Sequence, residues 1–221
     1  LMPFTTVSEV APFGLYMLPI VSPTVCRLST SRQEEAAQAG VIPQLLRIAR
    51  TNSPMKQLAL PTLCDLAHAS KATRKMFWQF DGLRFYLQLL EDVYWQVPAL
   101  DSILVWLQDE TARVETVLLQ SASISHLERC FSTAAGVSFG NLLEPLVKIC
   151  RISPGVAIAL SKFKTFFQRL AERLHHKNAV VRLNLLRITR IICDVHPDRQ
   201  SVLSTAGLRE VRRASNHSLL L

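Results

Sequence analysis

Three features of this 221-residue chain have the residue types that catalysis or metal binding requires. At 78–82 the run Trp-Gln-Phe-Asp-Gly places Asp81 between Phe80 and Gly82, the residue types with which phosphoryl-transfer enzymes hold magnesium. The order is Phe-Asp-Gly, however, and the Gly-rich phosphate loop and His-Arg-Asp segment of such a site are missing. His175 and His176 stand together before Lys177, yet a metal needs further ligands at fitting geometry and none is marked. Five cysteines (Cys26, Cys64, Cys130, Cys150 and Cys193) form no Cys-x-x-Cys pair and are odd in number. That argues for buried free thiols in a reducing compartment, not for a zinc site or a disulfide framework. No GxGxxG after a strand, no GxxxxGK followed by Ser or Thr, no HExxH and no GxSxG occurs. The expectation is a chain with no catalytic residue, no cofactor and no metal.

Two weaker signals concern modification and nucleic acid. Arg212-Arg213-Ala214-Ser215 resembles a basophilic-kinase site, which makes Ser215 a candidate phosphosite. Ser22, Ser53 and Ser153 precede prolines, but Ser53 and Ser153 also fit helix caps. The net charge of +8 is uneven: residues 162–213 hold 12 Lys/Arg against 4 Asp/Glu, so the whole excess lies there. A basic C-terminal quarter favours an acidic partner surface. Phe163, Phe166 and Phe167 stand near Lys162, Lys164 and Arg169, but phenylalanines at that spacing fit a helical core better than a base-stacking platform, and nucleic acid is not the expected partner.

The elements that carry these residues are helical. Hydrophobic residues make up 49% and there are only seven glycines, too few for many hairpins. The apolar stretch from Val10 to Val25 is broken by Pro12, Pro19 and Pro23, too often for a membrane span or a secretory signal. A start at Leu1 suggests a piece of a longer protein. Gly40 and Gly82 are 42 residues apart, and Gly207 lies 125 further on, close to three more periods. Apolar runs without the glycine surround Ile124 and Thr165, where the missing copies should fall. The segments ending at Ser70 and Ser153 are 83 apart, two periods, and each is apolar at i, i+3, i+4 and i+7.

Each unit reads as a short helix, a small-residue corner, a second helix, a turn and a longer third helix. In the first complete copy these cover Ser31 to Ala39, Val41 to Arg50 and Pro54 to Ala69. Gly40 suits a left-handed corner, and Ser53-Pro54, Asp92 and Asn178 read as helix starts. A period of about 40 to 47 with two or three helices is the range of HEAT and armadillo arrays, and three helices favour armadillo. The expected fold is an all-α, armadillo-like (ARM/HEAT) superhelical array of about four full repeats with partial ones at the ends. Residues 1–30 form an irregular N-terminal repeat helix, 31–196 the repeats, and 197–221 a partial capping repeat and tail. A globular helical bundle is the rival, but it leaves five markers on one spacing without a cause. Pro61, Pro98 and Pro145 fall inside third helices, where each should bend its helix.

In such a stack the third helices line a concave face that grips other proteins. The groove candidates are Asp65 and His68, then Asp101, Trp106 and Asp109, then Glu144, Lys148 and Arg151, and finally Arg187 and Arg190. The groove would run from acidic to basic and hold a partner in one direction.

The segments RQEEAAQAGVIPQLL, SPMKQLALPTLCDLAHAS, YWQVPALDSI, LLEPLVKI and VVRLNLLRI, in order from Arg32 to Val195, together resemble the C-terminal armadillo region of one Ser/Thr protein kinase family. Its members are the fungal septation-initiation and mitotic-exit kinases and the plant epsilon-type MAP kinase kinase kinases. The resemblance implies an ATP-binding catalytic domain N-terminal to this chain. It also implies partners for the non-catalytic part: a Ras-like small GTPase, a spindle-pole scaffold protein, or a second copy of the chain. Cytoplasmic location at the spindle pole body or cytoskeleton, and a role in cytokinesis, are expectations of the same kind. The loss of the glycine corner near Ser123 and Thr165 departs from a regular array.

Overall fold

The computed structural model describes residues 29–198 and Gln200. Ser215, Cys26, Gly207, the 1–28 segment and nearly all of the 197–221 tail lie outside the described residues. Among the described residues there are helices and no strands. Among these residues twelve helices follow one another in four triplets, the third of each being the longest. The chain divides into two units, one ending at Phe80 and the other beginning at Asp81.

The first unit contains α1 (Thr30–Gln38), α2 (Val41–Ala49), α3 (Lys56–Ala69) and α4 (Lys71–Trp78). Gly40 turns the chain between α1 and α2 with φ of 84°, where a non-glycine residue is strained. The amphipathic α2 buries Val41, Ile42, Leu45, Leu46 and Ala49 and packs along α3, while α1 packs on α3 and α4. Pro43 falls in the first turn of α2, where no backbone donor is needed. α3 begins at Lys56, two residues later than Ser53-Pro54 suggested, because the Ser53 hydroxyl accepts from the Met55 amide and holds a turn there. Pro61 does sit inside α3. Beside it the Thr62 hydroxyl donates to the Leu58 carbonyl at 2.9 Å. Ser70 caps α4 by accepting from the Thr73 amide at 3.2 Å. The buried Arg74 reaches back and donates to the Ala67 carbonyl at 2.7 Å, covering the C-terminal end of α3.

The second unit contains α5 (Gly82–Leu89), α6 (Gln96–Asp109), α7 (Thr111–Leu118), α8 (Ser121–Thr133), α9 (Gly136–Ile152), α10 (Pro154–Ser161), α11 (Lys164–Arg173) and α12 (Ala179–Val195). Its corner before α5 corrects the expected register: Asp81, not Gly82, takes the left-handed conformation, with φ of 57°. The corners before α8 and α11, at Gln120 and Phe163, are extended instead of left-handed, so no glycine is required there. The spacing of corners at 40, 81, 120 and 163 is therefore not a constant 42. Asn178 caps α12 as expected, accepting from the Val180 amide at 2.8 Å. Asp92 does not start α6. It accepts from the Tyr94 amide and makes a turn that ends four residues later. Pro98 is the third residue of α6, in the first turn, so of the three expected interior prolines Pro61 and Pro145 are the ones inside a helix.

The three long helices α6, α9 and α12 of this unit lie side by side, and the short helices pack behind them. Side-chain hydrogen bonds join residues one triplet apart. Gln96 donates to Thr133, Arg129 to Glu91, Ser153 to Glu115 and Thr165 to Glu128, at sequence separations of 37 or 38. The core is mostly aliphatic with large aromatic residues within it: Tyr86, Trp106, Phe131 and Phe166 are fully buried. Phe131 packs on Phe166 with ring centroids 4.5 Å apart. Each buried side chain of this size contributes about 1.5–3 kcal/mol relative to an exposed one.

Candidate protein-binding face

α9 shows why one row of side chains is available to a partner. Leu142, Leu143, Leu146, Val147, Ile149 and Cys150 are buried against the neighbouring helices. The helical period then leaves Asn141, Glu144, Lys148 and Arg151 exposed on the opposite stripe. Glu144 and Lys148, one turn apart, pair at 2.8 Å. The Lys148 hydrogen bond and charge, with Arg187 adding, hold the Glu144 carboxyl below its ordinary value. Arg187 of α12 is therefore within electrostatic range of Glu144. Arg187 also donates to the Asn184 side chain at 3.1 Å.

On α6, Asp101 is half-buried and Asp109 exposed; on α12, Arg187 and Arg190 are exposed. Within the second unit the exposed side chains thus include Asp109 on α6, the mixed row on α9, and Arg187 and Arg190 beside Leu183 and Leu186 on α12. Asp194, which sequence reading passed over, tempers the basic end by approaching Arg190 at 3.7 Å. Its i, i+4 spacing from Arg190 is the signal that could have found it. Asp65 and His68 lie on α3 of the first unit, half-buried and exposed respectively. Trp106 lines no face: it is fully buried and packs edge-on against Tyr86 at 6.2 Å. Its reading as a groove residue is corrected by the α6 register, which turns position 106 into the core.

The chemistry available elsewhere is limited. Burial pushes the Cys130 and Cys150 thiols up to about 12, which removes them from thiolate chemistry near neutral pH. Cys64 is buried as well, and Cys193 half-buried. His176 is engaged by its own loop, its Nδ1 accepting from the Asn178 amide at 3.1 Å. Among the described residues no three His, Cys, Asp or Glu side chains gather as a metal site would need, and no helix is long and apolar enough to cross a membrane. Asp81, of the Phe-Asp-Gly run, faces Arg84 loosely at 3.7 Å on an exposed corner. What the second unit does offer is exposed charged side chains on α9 and α12, two helices that pack together.

No family model matches the chain, and no solved structure matches it. Curated proteins do. The chain is 46% identical to the cytokinesis protein sepH of Emericella nidulans over 198 residues, 87% of this chain and 15% of that protein. It is 39% identical to MAP3K epsilon protein kinase 2 of Arabidopsis thaliana over 180 residues, 81% of this chain and 13% of the relative. It is also 32% identical to cell division control protein 7 of Schizosaccharomyces pombe over 189 residues, 85% of this chain and 18% of the relative. The chain therefore spans under a fifth of the length of these relatives, and within that span it belongs to the septation-kinase family of the fungal cytokinesis protein sepH and the plant MAP3K epsilon protein kinases.

Proposed function

We propose that the chain is a non-catalytic protein-binding and targeting region of a septation-pathway Ser/Thr protein kinase, built as an armadillo-like stack. The observation that carries this reading is the charged ridge of α9 and α12, two helices that pack together, where Arg187 is within electrostatic range of Glu144, the partner of Lys148. Such a surface has area and charge pattern but no enclosed chemistry, which suits a macromolecular partner. The partner is a Ras-like small GTPase or a spindle-pole scaffold protein, and the chain acts in the cytoplasm at that structure. Phosphoryl transfer belongs to another part of the kinase.

The test is a pull-down with the 221-residue chain as bait, comparing a GTP-loaded with a GDP-loaded septation GTPase and a spindle-pole scaffold. Wild type should retain a partner. The triple reversal Lys148→Glu, Arg187→Glu and Arg190→Glu should lower retention at least tenfold while leaving helicity and melting nearly unchanged. All three side chains are exposed, so their stability cost is a few tenths of a kcal/mol each. Undiminished binding by the triple variant would remove the ridge from the interface.

A further inference from the structure

The long helices of the second unit repeat one row of side chains at intervals of 43 residues. The row is Leu100, Leu104 and Leu107 on α6, then Leu143, Val147 and Cys150 on α9, then Leu186, Arg190 and Cys193 on α12. Steps of four and three residues keep each row on one side of its helix. On α6 and α9 all six side chains are buried; on α12 Leu186 and Arg190 are exposed and Cys193 is half-buried. The position one turn earlier behaves alike. Gly140 on α9 faces α12, since a Cβ there would lie 3.5 Å, an ordinary contact distance, from the Val181 side chain. Its counterpart on α12, Leu183, is 47% exposed. The difference is in what comes next. α6 is packed by the following α7 and α9, and α9 by the following α10 and α12, whereas α12 is the last of the twelve helices. The Arg190 guanidinium approaches Asp194 at 3.7 Å, which leaves its aliphatic stem along the row.

The sequence beyond Gln200, outside the described residues, fits that row. In the turn after α12 the Asp198 amide donates to His196 Nδ1 at 3.1 Å, and Gln200 is again helical. Two short helices that follow earlier long ones, α4 and α10, bury residues at i, i+1 and i+4: Thr73, Arg74 and Phe77 on α4, and Val156, Ala157 and Leu160 on α10. Each packs on the long helix before it. Val202, Leu203 and Ala206 have the same spacing, and Ser201, Ser204 and Thr205 around them are small and polar. Ala206-Gly207 then repeats the Ala39-Gly40 pair at which the chain turns after α1.

We propose that residues 200–206 form a further short helix that closes the stack on α12, with Val202, Leu203 and Ala206 against Leu183, Leu186 and Cys193. Burial of the apolar row drives the docking, and a polar outer face is what the terminal unit of a stacked fold needs in water. The inference rests on the stacked-triplet reading but not on any partner of Lys148 and Arg187, so its test and the pull-down fail separately.

Hydrogen exchange read by mass spectrometry on the 221-residue chain tests it. Amides of 202–206 should exchange at least tenfold more slowly than in a free peptide of residues 199–211. Leu183→Ser with Leu186→Ser should bring them to within about twofold of the peptide, while amides of 142–150 stay protected. A second variant leaves α12 untouched: Val202→Asp with Leu203→Asp should speed alkylation of Cys193 by iodoacetamide several-fold and leave the buried Cys130 and Cys150 unmodified. Exchange of 202–206 at peptide rates in the wild type would overturn the proposal, as would protection that survives both leucine changes. Protection that disappears on dilution together with a dimer in sedimentation velocity would give the row to a second copy of the chain and overturn it equally.

Discussion

Arg173 and Arg187 both belong to the basic C-terminal quarter, but the structure uses them in opposite ways. Arg173, on α11, turns inward at the junction with α8. Its guanidinium donates to the carbonyls of Phe131 at 2.7 Å, Ala134 at 2.9 Å and Ser132 at 3.2 Å. It also lies 3.9 Å from the centre of the Phe139 ring. Those carbonyls are at the end of α8, where the helix has no acceptors' partners of its own and its dipole is negative. Arg187, on the ridge, is exposed and makes one side-chain bond to its own helix. One arginine closes a helix end between consecutive triplets, and the other leaves its charge to solvent or a partner. Position in the fold, not charge, decides which arginine closes a helix end and which stays exposed.

The largest expected effect tests the junction. Arg173→Ala removes three charge-assisted hydrogen bonds and a cation–π contact, leaving part-buried carbonyls without this donor. The cost should be about 3 kcal/mol in urea unfolding at constant m-value. Arg173→Lys should recover only part of it, because an ammonium lacks the planar fork that reaches three carbonyls while stacking on a ring. A change within about 0.5 kcal/mol would place Arg173 with the ridge arginines and dissolve the contrast.

A second junction, between α7 and α10, should show a smaller loss. Ser153 is fully buried, accepts from the Val156 amide at 3.2 Å as the cap of α10, and donates to the Glu115 carboxylate. A Cβ at Gly155 would approach that carboxylate at 3.0 Å, so the two helices have little slack there. Ser153→Ala loses the cap and strips Glu115 of a donor, at a cost of about 1–2 kcal/mol. Ser153→Thr, which keeps the hydroxyl, should lose less. If alanine and threonine are equally destabilising, the volume of the site and not the hydrogen bonds sets the penalty.

These junctions also explain what could be read from the chain alone. Helix order, the Gly40 corner, the Asn178 and Ser153 caps and the exposed α9 row are local, written in residues within a turn or two of each other. The Asp81 corner was displaced by one residue because aspartate tolerates the left-handed region nearly as a glycine does, and Gly82 drew the reading to itself. The Gln120 and Phe163 corners are extended and carry no compositional mark. Trp106 was assigned to the groove by its repeat position on a third helix, although the helical period turns it inward. Arg74 and Arg173 were counted only as charge. What fixes Arg173 is a set of carbonyls 39 to 42 residues away, and no local pattern announces an acceptor at that distance.

The smallest effect is on the ridge and depends on pH. Lys148, by hydrogen bond and by charge, holds the Glu144 carboxyl below its ordinary value of 4.5, and Arg187 adds to the shift. A carboxyl whose folded-state value is lowered stabilises the fold fully above its unfolded value. That contribution disappears as pH falls from there through the folded value. The window therefore lies below about pH 4.5, with ionised Glu144 favouring the fold at its upper edge. Carbon-13 titration of the Glu144 carboxyl should show a midpoint below 4.5 that moves upward in Lys148→Ala and by a smaller step in Arg187→Ala. Because the pair is exposed, raising the salt concentration should shrink both steps. Unfolding measured across the same pH range should change little, since a solvated pair contributes little to stability. A midpoint indifferent to Lys148→Ala would mean that the 2.8 Å pair does not persist in solution, and the ridge would then present Glu144 and Lys148 to a partner as two independent charges.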